Sequence, residues 1–411
     1  MKRKINAYAT ILMILIFLFF FSASVQGQLY SNPHTYRVRY TVTIVNIDSR
    51  MDRLEVYLPI PSEWPSQRNV TIERIEPTPY SINEDPAYGN RMAHFPLHNV
   101  PKHSSHNFTI QYTFTFYETH FQVDPAKVGD YNRSAPEYIR YTTQRPARDV
   151  ESDDPVIQAA AGEIVGGETN PCLKAKRIYN WIVANIEYEY PSPWGAKETY
   201  LKRRGDCGMY TALFCAMCIS QGIPARPVAG LAFFPPYPHT YSSKGNPSDP
   251  ASYGGHVYAE FYLPNYGWIP VDGSYGRGSG KPERYFGETW DPCLINSKGY
   301  GISTVPPVDE KLTIFQHYAW WFWGEAASRD SYYTYTVEEV TVTKTTTEKT
   351  RVSSAASSFI ASPTTEAEIT NTPLWRIGYA IGILLVIGAI AIPVGTVIYA
   401  IWRWRRKSVN K

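Results

Sequence analysis

The chain has 411 residues, with 40 Lys and Arg against 37 Asp and Glu, for a formal charge of only +3. Three basic residues at the N-terminus and five after Trp402 outweigh that excess, so the stretch between them carries −5 and lacks the basic footprint of a nucleic-acid binder. Five cysteines in this length point to a fold held by its core, not by a lattice of disulfides.

Lys2, Arg3 and Lys4 precede an apolar stretch centred on Ile11 to Phe21, followed by small and polar residues from Ser22 to Gln28. This is the layout of a secretory signal over residues 1–27, with Val25 and Gly27 before the cleavage point. The apolar stretch is also long enough to serve as an uncleaved anchor. Residues 28–125 read as all-β. Thr35 to Val45 and Asn107 to Tyr117 alternate apolar and polar residues, Leu54 to Pro59 forms a third strand, and Pro, Asn and Ser clusters separate them. A small β-sandwich domain fits that pattern. Asn69, Asn107 and Asn132 open glycosylation sequons. His94, His98, His103 and His106 crowd a proline-interrupted stretch, where no shared helical face exists, and read as loop histidines, not as a metal site.

Residues 126–149 read as a linker, and helices begin after residue 150. Asp154-Pro155 makes a start signal, ended by Gly166-Gly167, and Asn170-Pro171 makes a second. The second helix carries an apolar stripe of Leu173, Ile178, Trp181, Ile182 and Ile186. A third helix runs from near Asp206 to about Gln221, where Gly222-Ile223-Pro224 stops it. Strands follow at 226–233, 256–263, 268–271 and 312–322. Helices followed by strands predict an α+β domain over 150–335. The loop from Phe233 to Tyr253 is either a wall of a cleft or a plain connection. His317 to Trp323 reads as a buried strand, and Tyr332 to Val342 alternates like one more.

Residues 336–373 are rich in Thr and Ser and read as a solvated stalk. Ile377 to Trp402 holds no charge over 26 residues, enough for a tilted helix within 374–402 to cross a bilayer. The basic cluster that follows puts the 403–411 tail in the cytosol by the positive-inside rule, and the domains outside the cell.

Cys215 and Cys218 form a C-x-x-C inside an apolar helix with no second pair, which favours buried small hydrophobes over zinc. Cys172 and Cys293 are candidates for a disulfide in an oxidising space. Cys207 is then left for reactivity. It opens a helix after Gly205-Asp206, where the helix N-terminus favours a thiolate and the backbone amide can serve an oxyanion. His256 lies on a strand with Tyr258 and Glu260 on the same face, and Asp272 closes the Gly267-Trp268-Ile-Pro-Val strand. Taken singly, these residues also fit a buried cysteine, a structural histidine and a turn aspartate.

Together they are more specific. Gly205-x-Cys207 before an apolar helix, Gly222-Ile-Pro-Ala-Arg226-x-Val-x-Gly230, His256-x-Tyr258-x-Glu260 and Gly267-Trp268-x-x-Val-Asp272 resemble the transglutaminase-like family, a branch of the papain-like thiol enzymes. The upstream Trp181-Ile-x-x-x-Ile-x-Tyr188 fits as well, so the resemblance covers about residues 150–280. It implies that a cysteine-bearing helix packs on an antiparallel sheet carrying the other two groups. Cys207 would be the nucleophile, His256 the base and Asp272 its orienter. The chain departs from the family at Tyr258, where many members have tryptophan. The side chain that completes the oxyanion site does not align, and Trp194 and Tyr190 are its candidates. The expected activity is an exported, membrane-anchored thiol enzyme acting on amide bonds of proteins or peptides through a thioester, as peptidase, deamidase or transamidase. The rival expectation is a non-catalytic binding, scaffolding or adhesion ectodomain on the same fold. No cofactor or metal is expected, because the triad needs none and no oxygen-rich loop has calcium-ligand spacing.

Overall fold

The computed structural model describes residues 28–341, apart from 49, 144, 245–252 and 326–327. The secretory signal, most of the stalk, the apolar span and the tail lie outside the described residues. Among the described residues no helix is long and apolar enough to cross a membrane.

The chain begins with strands β1 (Gln28–Asn46), β2 (Met51–Ile60), β3 (Gln67–Glu76), β4 (Ser81–Glu84), β5 (Arg91–Val100) and β6 (Ser104–Phe121). The predicted alternation is visible in β1, where Tyr36, Val38, Tyr40, Val42 and Ile44 are buried and the basic residues between them are not. A short helix, α1 (Pro136–Thr142), leads to α2 (Pro155–Val165) and α3 (Pro171–Asn185). Then come β7 (Glu187–Tyr188), α4 (Ala196–Lys202), β8 (Arg204–Gly205) and α5 (Cys207–Ser220). The rest comprises β9 (Ala225–Ala232), β10 (His239–Ser242), β11 (Gly255–Leu263), β12 (Gly267–Val271), α6 (Gly273–Ser279), β13 (Glu288–Thr289), β14 (Cys293–Lys298), β15 (Ala319–Gly324) and β16 (Arg329–Glu339).

The helices start where the sequence signals them, for a local reason. Asp154 accepts from the Val156 amide at 2.8 Å, Asn170 from Cys172 at 3.0 Å and Asp206 from Met209 at 3.0 Å, each satisfying an orphan donor of the first turn. Helix α5 is buried on all sides from Met209 to Ile219, packed by α2, α3 and α4 and by the antiparallel sheet β12-β11-β9-β14. Its apolar contacts with Ala259, Phe261, Ile269 and Val271 join helices and sheet in one core.

The β-sandwich is not built from residues 28–125 alone. One sheet has the order β10-β16-β1-β6-β13, with β3 also on β6, and the facing sheet the order β15-β2-β5-β4. Thus β16 zips along β1 from Tyr36↔Glu339 to Asn46↔Arg329, and β15 lies on β2. The sandwich core includes Tyr333, Tyr335 and Val337 from one end of the chain and Val38, Leu54 and Phe95 from the other. The described residues all fall in one compact unit. Assigning 312–335 to the catalytic part alone misses this long-range pairing, as does starting the stalk at residue 336.

Three smaller expectations also change. The 126–149 segment is tied down: Tyr131 donates to the Tyr262 carbonyl at 2.7 Å and Tyr138 to that of Gly222 at 3.0 Å. His94 and His98 sit on β5, not in a loop, and His94 is buried against Glu55 and stacked on Tyr57. The 319–324 strand is an edge strand, half-buried, with Trp323 39% exposed.

Candidate active site

Cys207 is the first residue of α5, and its side chain is partly exposed while Met209 to Ile219 are enclosed. His256, on β11, and Asp272, at the end of β12, are buried. Register brings them together: Ala259 pairs with Val271, so the two strands run side by side up to the site. His256 Nε2 lies 2.6 Å from Asp272 Oδ2. Cys207 lies close enough to the same imidazole to raise its pKa, and with Nε2 on Asp272 the ring nitrogen left for sulfur is Nδ1.

Asp272 is fixed by more than histidine. Its Oδ1 accepts from Ser274 Oγ at 2.8 Å and from the Tyr275 amide at 2.9 Å, and so caps α6. One carboxylate oxygen thus holds the turn and the other holds the ring. Tyr275 adds a second constraint by stacking flat on His256, with centroids 4.1 Å apart and planes 7° from parallel. Burial by itself pulls the imidazole pKa down, but Asp272 and then Cys207 overcome it and push it up to about 10. His256 therefore carries a proton at neutral pH.

A third aromatic side chain joins the two expected near Cys207. Strand β7 pairs in parallel with β8, Tyr188 against Gly205, which brings Tyr188 beside Cys207. Burial, then Cys207 and Asp206, raise its phenol pKa. Tyr188 and Tyr190 are each 46% exposed, the Tyr190 ring lies 5.7 Å from that of Tyr253, and Trp194 is 62% exposed. The signal for Tyr188 was its place in the Ile-x-Tyr motif after α3. Nothing in the sequence marked Tyr275.

Glu260 shares the His256 face of β11 but is occupied. Arg226 Nη2 and Lys298 Nζ each lie 2.7 Å from its two oxygens, with all three groups buried. Burial raises the carboxyl pKa, yet Lys298 and Arg226 outweigh it and hold the group below its usual range. Arg226 stacks over Trp268 at 3.8 Å, so this cluster is a strut at the far end of the sheet.

All five cysteines are free thiols. The Cys172–Cys293 pairing is absent because the two belong to different cores: Cys172 packs among the helices, Cys293 with Val228, Tyr258 and Ile295 behind the sheet. Burial raises the Cys172 thiol to about 11, and raises Cys215, Cys218 and Cys293 as well. A buried thiol of this kind is inert.

Residues 158–273 match the Transglutaminase-like superfamily model. An uncharacterized protein of Haemophilus influenzae is 30% identical over 162 residues, 36% of this chain and 42% of its own length, so the chain spans less than half of that relative. A crystal structure of a candidate cysteine protease from Cytophaga hutchinsonii superposes with a TM-score of 0.51 at 17% identity, covering 79% of this chain and 94% of the other, a likeness of fold. The periplasmic domain of TgpA from Pseudomonas aeruginosa matches at a TM-score of 0.30 and 14% identity, over 64% of this chain and 96% of the other. Cys207, His256 and Asp272 all lie within the segment, residues 158–273, that matches the superfamily model.

Proposed function

We propose that the chain is an exported, membrane-anchored thiol enzyme acting on amide bonds of proteins or peptides. The observation that carries this reading is a single imidazole held between a helix-N-terminal cysteine and a buried carboxylate, with 2.6 Å between His256 Nε2 and Asp272 Oδ2. Cys207 sulfur attacks the amide carbon, and its proton rests on His256 Nδ1. The carbonyl oxygen becomes an oxyanion beside the Cys207 amide and the Tyr188 hydroxyl. The C–N bond then breaks, the amine leaves with the proton from His256, and a thioester remains. Water or a second amine attacks the thioester with His256 as base, giving hydrolysis or transfer. Asp272 keeps Nε2–H as a donor and balances the imidazolium, so Nδ1 always faces sulfur.

Export and anchoring rest on the sequence: a signal-like N-terminus, and an uncharged 26-residue run followed by Arg403, Arg405, Arg406 and Lys407. Protease added to intact cells is expected to cut the Thr/Ser-rich stalk and spare a tag placed after Lys411. Digestion of that tag would reverse the orientation. For the chemistry, the full chain is incubated with a peptide library and a tagged amine, and products are read by mass spectrometry. Cys207→Ala and His256→Ala are each expected to abolish turnover with the fold intact. Wild-type turnover in Cys207→Ala would remove the site assignment.

A further inference from the structure

A histidine tied to one carboxylate through Nε2 can still turn about its stem, and a turned ring carries Nδ1 away from the sulfur. The residue that closes off this freedom is Tyr275. Its ring lies parallel to the imidazole, with 7° between planes and 4.1 Å between centroids. That is closer than the ~4.5–7 Å usual for neutral aromatic pairs, which prefer offset or edge-on contacts. The same tyrosine meets its neutral neighbour Tyr285 edge-on, at 76° and 5.9 Å. A cationic ring, by contrast, is drawn onto a π-face. The stack therefore has the geometry of an imidazolium on a phenol. The phenol stays neutral, because burial and then Asp272 raise its pKa well above the ordinary value.

The turn that carries Tyr275 leaves it little room to retreat. Its amide donates to Asp272 Oδ1 at 2.9 Å, so ring and carboxylate grip one histidine from a single turn. Gly273 and Gly276 lie on either side of it, where the turn rests on the helix layer. A Cβ on Gly273 would stand 3.0 Å from the Tyr210 ring of α5, and one on Gly276 only 2.2 Å from the Tyr179 hydroxyl of α3. That hydroxyl is itself fixed, donating to the Pro282 carbonyl at 2.6 Å. The two glycines let the turn sit flush on α3 and α5, and that seat holds Tyr275 against the imidazole.

We infer that Tyr275 is a positioning residue for the proposed amide chemistry: its ring clamps His256 face-on, keeps Nδ1 turned to Cys207 and favours the protonated imidazole. It acts through His256 and touches no reacting atom, so its role in turnover rests on His256 being the base. The ionisable groups around the imidazole are Asp272 from β12, Cys207 from α5 and Tyr258 from β11 itself, with Glu288, Asp291, Cys293 and Tyr285 around the small space that His256 also lines. Tyr258 stacks only obliquely, 6.3 Å away, which leaves the close π-face to Tyr275. Replacing that face by an aliphatic side chain keeps the imidazole covered but removes the attraction for its charge, so the proton is held less tightly.

The full chain is compared with its Tyr275→Leu and Tyr275→Phe variants. Alkylation of Cys207 by iodoacetamide, followed against pH, reports the His256 proton without turnover, through the change on its alkaline side. In Tyr275→Leu that change should move down by about one pH unit, the size of a lost cation–π contact away from water. The conservative Tyr275→Phe should recover most of the shift, since it restores the π-face. In turnover of one amide, Tyr275→Leu should lower kcat about tenfold with KM within about twofold, and Tyr275→Phe should again recover most of the loss. An alkaline change that stays in place in Tyr275→Leu overturns the clamp, as does an equal shift in Tyr275→Phe or a loss confined to KM. Tyr275→Met makes the same comparison where the leucine variant folds poorly. A wild-type chain inert toward every amide, with the alkylation shift present in Tyr275→Leu and recovered in Tyr275→Phe, removes the chemistry and keeps the clamp.

Discussion

Asp272→Asn is the perturbation whose size the structure fixes best. Asparagine keeps the carbonyl oxygen that accepts from Ser274 and the Tyr275 amide, so the α6 cap survives. Its amide nitrogen then faces His256 Nε2 in place of Oδ2. That donor forces Nε2 to accept, moves the ring proton to Nδ1 and points an N–H at sulfur, the wrong tautomer to take the thiol proton. The charge is lost as well. His256 stands at about 10 against an ordinary 6.5, with Asp272 the larger of the two groups that raise it and burial opposing both. More than three decades of proton affinity correspond to roughly 4–5 kcal/mol, shared with Cys207. With the carboxylate gone, the larger of the groups holding the proton is lost and burial pulls the imidazole pKa down. The raised value means that the stabilisation from the imidazolium is fully present below about 6.5 and is lost as pH rises through about 10. Wild-type alkylation of Cys207 by iodoacetamide should therefore change on its alkaline side near pH 10. In Asp272→Asn that change should move to lower pH, and kcat should drop by about 10²-fold or more while staying above that of Cys207→Ala. An unchanged alkaline limb in the variant would refute the reasoning.

Tyr188→Phe should lower kcat by about 10- to 100-fold with little effect on KM, because the hydroxyl beside Cys207 serves the oxyanion and not the bound amide; steady-state kinetics decide it. Glu260→Gln should destabilise the fold by about 3–5 kcal/mol, leaving Arg226 and Lys298 buried without their counter-charge, and should lower Tm by about 10 °C in calorimetry. Unfolding without reductant should expose all five thiols to alkylation, read as five added groups by intact mass. Chelator should leave amide turnover unchanged, since sulfur, imidazole and carboxylate complete the cycle; loss reversed by calcium would count against that mechanism.

What the sequence made legible was local. Asp154, Asn170 and Asp206 announce helix starts because a cap acts within three residues, and all three bind the amides expected of them. Cys207, His256 and Asp272 were nameable because each sits in a short pattern at a helix or strand end, and the fold brings them together. Contacts made across long separations left no such trace. The β1–β16 ladder joins residues about three hundred positions apart, and either strand alone reads as a sandwich edge or a catalytic strand. Tyr275 is one tyrosine among 32, and only the turn after Asp272 lays it on the imidazole. The proposed Cys172–Cys293 bond failed for the same reason: spacing carries no information about which core a thiol joins.

The antiparallel zipper of first and last strands has a mechanical corollary. Tyr36 lies opposite Glu339, and the Val340 amide donates to the Thr35 carbonyl, so the chain enters and leaves the folded body at one edge. A tether at the front, at the back or at both would hang the body from that same edge, and removing one of two tethers would not turn it over. A pull on the C-terminus alone, against a fixed N-terminus, would peel β16 from β1 one rung at a time, whereas opposite strand ends would have to be sheared together. The hydroxyl of Tyr335, a β16 residue, donates to the carbonyl of Gly254, two residues before His256. Traction on the C-terminal end of β16 would therefore loosen the histidine strand's support before it disturbed the cysteine helix.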